Sequence, residues 1–209
     1  MRAVFVTGTD TGIGKTLVSA WLTHHWRAEY WKPIQTGALE DSDSLTVAAL
    51  APAALIHPPA HVYQLPASPH QAAGHEHAHI TLDSLAPPAT LGPLVIEGAG
   101  GVMVPLNENT LMIDFIARLA VPVVVVARSG LGTLNHSLLT LEALRRRHIP
   151  ILGLVMNGPV HAANRQAIEH FGTVDVLAEI PPLAAIDAAT VAGLPAPAFC
   201  CPEQGPKHP

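Results

Sequence analysis

The eleven residues Val6-Thr7-Gly8-Thr9-Asp10-Thr11-Gly12-Ile13-Gly14-Lys15-Thr16 constrain this chain more than any other segment. They follow a short apolar run, Ala3-Val4-Phe5-Val6, and lead into a helical pattern. A strand, a glycine-rich turn and Gly-Lys-Thr at a helix start make a phosphate-binding loop. Consecutive backbone N–H groups and the helix N-terminus converge on one spot and attract anionic oxygens. In such a loop Lys15 reaches the β and γ phosphates and the Thr16 hydroxyl serves Mg²⁺. The spacing is unusual, because five residues separate Gly8 from Gly14.

The rest of the pattern is that of one α/β domain. Strands are expected at Ala3–Thr7, Glu29–Pro33, Pro93–Glu97, Pro122–Ala127, Ile151–Met156 and Val174–Ile180. Helices are expected at Thr16–Arg27, Thr110–Leu119, Gly132–Arg147 and His161–Phe171. Continuous apolar strands alternating with helices specify a P-loop NTPase-like parallel sheet with helices on both faces. Ligands then bind at the carboxyl ends of the strands. That rule gathers Gly8–Thr16, Lys32–Gly37, Glu97–Gly101, Ser129–Asn135 and Asn157 on one edge. Between Ala48 and Pro93 prolines and histidines weaken the pattern. From Pro195 onward the tail is expected to be poorly ordered toward its end.

Composition narrows the function classes. The chain has 209 residues, 49% apolar and 13% charged, with a formal net charge of −5. A single core-rich domain over 1–209 fits these values, and the acidic balance argues against a nucleic-acid surface. The basic cluster Arg145-Arg146-Arg147 closes a helix, where cations complement the helix dipole. The N-terminal apolar run is too short for a signal peptide, and Leu119–Ala127 is far short of a membrane span. Cys200 and Cys201 are adjacent, where a mutual disulfide is strained. No membrane association and a cytoplasmic location are expected.

Several side chains on the functional edge carry chemistry. Glu97 ends an apolar strand, where the metal-binding carboxylate of a phosphate loop belongs, and the small residues after it let a substrate approach the backbone. Asp43, within Asp41-Ser42-Asp43-Ser44, reads on its own as a helix N-cap. Lys32 stands at a strand end beside the loop, well placed to neutralise charge during phosphoryl transfer. His75-Glu76-His77-Ala78-His79 has alternating histidines, but no cysteine or ordered acidic partner supports a transition-metal site.

The separated motifs together resemble the dethiobiotin synthetase family. They are VTGTDTGIGKT (Val6–Thr16), KPIQTG (Lys32–Gly37), DSDSL (Asp41–Leu45), Ser68-Pro69-His70, EGAGG (Glu97–Gly101), Leu131–Thr140 with Asn135-His136, Val155–Asn157 and Glu179-Ile180-Pro181. The irregular loop spacing is itself a feature of that family.

The resemblance implies an ATP- and Mg²⁺-dependent ligase. It would convert 7,8-diaminononanoate and CO₂ to dethiobiotin through a carbamate and a carbamic–phosphoric anhydride. It implies Thr16, Asp43 and Glu97 as Mg²⁺ ligands, and Lys15, Lys32 and Thr11 as catalytic residues. The nucleotide would meet Thr9, Asp10, Thr11, Gly12, Ile13, Gly14, Lys15, Thr16 and, at the adenine, Asn157. The diamine and carbamate would meet Thr11, Lys32, Thr36, Gly98, Gly100 and Gly101. The substrate's carboxylate tail would meet Leu131, Gly132 and Asn135 across a homodimer interface. Gly12 departs from members with an acidic residue there, and Thr36 from those with serine. A cobyrinic acid amide synthetase would need a further glutaminase domain. A partition- or septum-site-type switch ATPase carries a signature lysine where Asp10 stands.

Overall fold

The computed structural model describes residues 2–38 and 42–202. Asp41, at the start of the DSDSL motif, and residues 203–209 of the tail lie outside the described residues. In chain order the elements are β1 (Ala3–Gly8), α1 (Lys15–Trp26), β2 (Glu29–Trp31), β3 (Ile34–Gln35), α2 (Asp43–Leu50), β4 (Ile56–His57), β5 (His61–Val62) and α3 (Pro69–His75). They continue with β6 (Leu94–Gly101), α4 (Met112–Leu119), β7 (Val123–Arg128), α5 (Thr133–Arg146), β8 (Ile151–Asn157), α6 (Ala162–Gly172), β9 (Val176–Ile180) and α7 (Ala188–Gly193).

Seven strands form one parallel sheet in the order β4-β2-β6-β1-β7-β8-β9, and β3 pairs with β5 beside it. Each central strand is apolar at consecutive positions because both its faces are buried. Ala3 and Phe5 of β1, Leu94 and Ile96 of β6, and Val123 and Val125 of β7 enter one core with Phe115 of α4, Leu141 of α5 and Ile168 of α6. Val4 and Val6, Val95, and Val124 and Val126 enter the other with Val18 and Trp21 of α1, Val47 of α2 and Val191 of α7. The period-two alternation of strand side chains produces this division. It also turns Glu97, two residues past Val95, toward the α1 face.

The connections leaving β1 and β6 run to opposite sides, so a crevice opens at their carboxyl ends. Here β6 is longer than the sequence pattern suggests. Gly98–Gly101 continue the strand rather than closing it, with a register irregularity between Val6↔Glu97 and Gly8↔Gly101. The glycines have packing reasons. A Cβ at Gly98 would lie 2.9 Å from the Phe5 ring, and one at Gly101 would lie 3.2 Å from the Gly8 carbonyl.

The weakly patterned region holds α3 and the short strands β4 and β5, which are too brief for periodicity to reveal. Residues 195–199 of the tail run along α1, and the Cys201 carbonyl accepts from Arg2 Nε at 3.3 Å. Trp21 Nε1 donates to the Pro195 carbonyl at 2.9 Å, Trp26 Nε1 to the Phe199 carbonyl at 3.2 Å, and Cys201 is buried. This strap joins α2 and α7 in covering α1, which with the sheet behind is buried on most of its sides. Among the described residues no helix is long and apolar enough to cross a membrane.

At the opposite edge Glu29 ties β2 to its surroundings. Its Oε2 lies 2.6 Å from His57 Nε2, and its Oε1 accepts from the Leu91 and Gly92 amides at 2.8 and 3.0 Å. Burial alone would raise the Glu29 pKa, but the His57 bond and the two amides outweigh it and hold the carboxyl below its ordinary value of 4.5. A depressed carboxyl stabilises the fold above its unfolded pKa and loses that contribution as pH falls through the folded value. Glu29→Gln should therefore cost about 1–3 kcal/mol near neutral pH, and the gap to wild type should close below pH 4.5. Urea unfolding over a pH series measures it, and a gap unchanged down to pH 3 contradicts the assignment.

Candidate active site

The loop after β1 wraps the start of α1. Gly14 takes the N-cap position with φ 92°, a left-handed conformation that glycine adopts without strain. A Cβ there would also run into the Asn157 side-chain amide. No side chain among the described residues caps α1, so its first N–H groups and dipole face the crevice. The loop is tied to its neighbours at two points. Asn157, at the end of β8, donates from Nδ2 to the Ile13 carbonyl at 2.9 Å. Arg128, at the end of β7, pairs through Nη2 with Asp10 Oδ2 at 2.7 Å, while Asp10 Oδ1 accepts the Thr11 amide.

Beneath the loop lies a cluster of buried charge. Lys32, only 3% exposed, follows β2 and sends Nζ to Asp43 Oδ2 at 2.6 Å, Glu97 Oε1 at 3.0 Å and the Gly98 carbonyl at 3.1 Å. Thr16 Oγ1 joins the same carboxylates, donating to Asp43 Oδ1 at 2.5 Å and lying 3.1 Å from Glu97 Oε1. Glu97 has no exposure, and its second oxygen accepts the Tyr30 hydroxyl at 3.0 Å. Asp43 is the first residue of α2 rather than its cap. Ser42 is the N-cap, accepting from the Leu45 amide, which leaves the Asp43 carboxylate for the cluster. Its own amide is held by Gln35 Oε1 at 3.0 Å.

Burial opposes charge on Lys32, Asp43 and Lys15, and the neighbours set the outcome at each. Desolvation would lower the Lys32 pKa, but Glu97 and Asp43 overcome it and hold the ammonium above its ordinary value. Desolvation would raise Asp43, and Lys32 with Thr16 pulls it below the usual carboxylate range. Lys15, 7% exposed, donates to the Asp10 carbonyl at 3.1 Å. Its pKa is lowered by burial and then by the nearby Lys32 charge, against the pull of Glu97, Asp43 and Asp10. A buried ammonium in that condition gains from an incoming anion.

A cleft of about 680 Å³ opens over this cluster. Thr11, Gly12, Gly14, Lys15, Thr16, Lys32, Thr36, Asp43, Glu97 and Gly100 line it, so the structure brings most of the expected residues together. Ile34, Gln35, Gly37, residues 66–69, Ala99 and Val104 complete its walls. Ser68 and Pro69 do so as the N-cap and first residue of α3. Gly98 and Gly101 do not line the cleft, and Gly98 contributes through its carbonyl to Lys32. Thr9, Asp10, Ile13 and Asn157 form or brace the loop behind it. Leu131, Gly132 and Asn135 stand apart on the surface at the start of α5, with Leu131 fully exposed.

His75, His77 and His79 are exposed at and beyond the end of α3. Tyr30 and Arg128 carry weight in this site that the sequence reading did not assign. Arg128 ends an apolar strand next to the phosphate loop, a signal that could have found it. Tyr30 sits within a short apolar strand and looks like core.

Comparison with known proteins agrees with this geometry. Residues 2–190 match a family model described as an AAA domain. The ATP-dependent dethiobiotin synthetase of Paramagnetospirillum magneticum is 67% identical over 97% of this chain and 98% of its own. That of Agrobacterium fabrum is 48% identical over 85% of each chain. The biotin biosynthesis bifunctional protein of Bordetella avium is 58% identical over 91% of this chain and 42% of its own length. Among solved structures, a ParA family ATPase from Chlorobium tepidum superposes with a TM-score of 0.56 at 12% identity, covering 88% of this chain and 86% of that one. The MinC:MinD complex of Aquifex aeolicus gives 0.51 at 10% identity, with 88% and 82% covered. At such identities the likeness is one of fold alone. With a buried lysine–carboxylate cluster under a phosphate loop and relatives of this similarity along nearly its whole length, the chain belongs to the ATP-dependent dethiobiotin synthetase family and is an ATP-dependent ligase.

Proposed function

We propose that residues 1–209 form a single P-loop synthetase domain that closes the ureido ring of dethiobiotin at the cleft above Lys15 and Lys32. The observation that carries this reading is the convergence of two buried ammonium groups, the buried Glu97 carboxylate and the half-buried Asp43 carboxylate beside one anion-seeking helix start. In the reaction CO₂ adds to one amine of 7,8-diaminononanoate, which loses a proton and becomes a carbamate. The carbamate oxygen attacks the γ-phosphorus of ATP and ADP leaves. The second amine then attacks the anhydride carbon, expelling phosphate and closing the cyclic urea.

No protein nucleophile is required. The chain must align two anions, neutralise their charge and keep water from the anhydride. The loop amides from Thr9 to Gly14 and Lys15 bind the phosphates, with Asn157 beside them toward the adenine. Lys32 neutralises charge between the γ-phosphate and the carbamate, and Thr11, Thr36 and Gly100 border the diamine. Thr16, Asp43 and Glu97 present an all-oxygen set whose hydroxyl and carboxylates already lie within hydrogen-bond reach, which suits a hard cation. They would hold Mg²⁺, which would draw charge from the phosphate oxygens.

The reading includes a homodimer in which Leu131, Gly132 and Asn135 of one protomer meet the substrate's carboxylate tail in the other's cleft. The full exposure of the apolar Leu131 at a helix start supports it. It takes the reaction to be cytoplasmic, in keeping with two free cysteines.

Three outcomes test the proposal. Purified protein given Mg-ATP and bicarbonate should release ADP only when 7,8-diaminononanoate is added, with a matching cyclic urea by mass spectrometry. ADP release indifferent to the diamine contradicts it and favours a switch ATPase. Lys32→Ala should lower kcat by about a hundred- to a thousandfold while ADP affinity changes by less than about tenfold, ~1.4 kcal/mol. A loss of ADP affinity equal to that of Lys15→Ala refutes the division of roles. Leu131→Asp should raise the KM for the diamine and shift sedimentation toward the monomer. An unchanged dimer and KM would remove Leu131 from the interface.

A further inference from the structure

We infer that Tyr30 sets which divalent cation the site accepts, by holding Glu97 to one available oxygen. The inference rests on the proposed cation site at Thr16, Asp43 and Glu97. Tyr30 is fully buried on β2 and does not line the cleft, so it acts on the chemistry only through Glu97. The parallel pairing of β2 with β6 brings the two together. Tyr30 is in register with Val95, and both side chains enter the α1-side core together with Val47 and Leu50. Glu97 extends from the next position on that face.

The carboxylate's two oxygens have separate duties. Oε1 meets Thr16 Oγ1 and Lys32 Nζ at the floor of the cleft. Oε2 accepts the Tyr30 hydroxyl at 3.0 Å, inside the core. A buried tyrosine needs a partner for its hydroxyl, but here the partner is the fully buried acid of a phosphate site, and that choice has a chemical consequence. Mg²⁺ requires near-ideal octahedral geometry with short bonds and suits carboxylates that each offer one oxygen. Ca²⁺ is larger, takes six to eight oxygens and readily accepts both oxygens of one carboxylate. With Oε2 occupied by Tyr30, Glu97 offers Oε1 alone and the site favours the smaller ion. Tyr30 is thus a positioning residue that confers cation selectivity.

Calorimetric titration of ADP, which binds without turnover, tests this in the presence of Mg²⁺ or Ca²⁺. Wild-type protein should bind ADP more tightly with Mg²⁺. Tyr30→Phe keeps the ring and removes the donor, and should shift the Mg²⁺/Ca²⁺ affinity ratio toward Ca²⁺ by about tenfold. 4-Aminophenylalanine at position 30 restores a donor on the same ring and should return most of the ratio. If Tyr30→Phe does not fold, that residue, as a weaker donor, should still give a smaller shift in the same direction. A lower thermal midpoint with an unchanged ratio makes Tyr30 a structural residue only and overturns the inference. Wild-type ADP affinity indifferent to both cations would instead remove the cation site on which the inference rests.

Discussion

The Lys32 ammonium, buried between the Asp43 and Glu97 carboxylates, is the interaction on which the rest of the site depends. Two carboxylates side by side, Glu97 buried and Asp43 half-buried, repel each other. Lys32 makes the pair tolerable, and the pair keeps Lys32 charged where burial alone would favour its neutral form. The arrangement needs β2 beside β6 in a register that sets Trp31 against Ile96, so that Lys32 and Glu97 follow side by side. It also needs Ser42, rather than Asp43, to cap α2. Lys15 is placed differently, on a backbone carbonyl, with its positive charge disfavoured by burial and by Lys32. A polyphosphate brings the negative charge that Lys15 lacks, and this asymmetry between the two lysines makes the cleft a receptor for anions.

The parallel sheet and the phosphate loop were legible because each rests on short-range pattern. Four consecutive valines in β7 are apolar on both faces, and Gly-Lys-Thr after β1 has one common structural reading. The end of β6 was less legible. Glycines after Glu97 look like a strand terminator or a surface for substrate, yet Gly98 and Gly101 are small because the Phe5 ring and the Gly8 carbonyl press against them. Contacts between strands distant in sequence leave no periodic trace. The same holds for the Tyr30–Glu97 and Arg128–Asp10 bonds, between residues 67 and 118 positions apart. The start of the tail was less legible from its composition. Proline-rich and polar, it reads as loose, but Trp21 and Trp26 supply N–H donors along α1 that fasten residues 195–199.

The fold is shared with ParA and MinD proteins at very low identity, so a phosphate loop on this sheet does not itself decide between a switch and a ligase. On the function proposed above, what decides is the set of groups around the γ-phosphate. Here a second buried lysine, held by carboxylates on β6 and α2, faces a cleft with room for an organic substrate. On that proposal the site favours an anionic carbamate over water as the attacking group, because Lys32 would reward the negative charge that water does not bring.

Oxygen-isotope tracing tests that claim most directly. With ¹⁸O-labelled CO₂ in unlabelled water and a short reaction time, one labelled oxygen should appear in the released phosphate for each labelled ureido carbonyl formed. Phosphate that takes its new oxygen from water, with none from CO₂, would show that ATP is hydrolysed and would contradict the account.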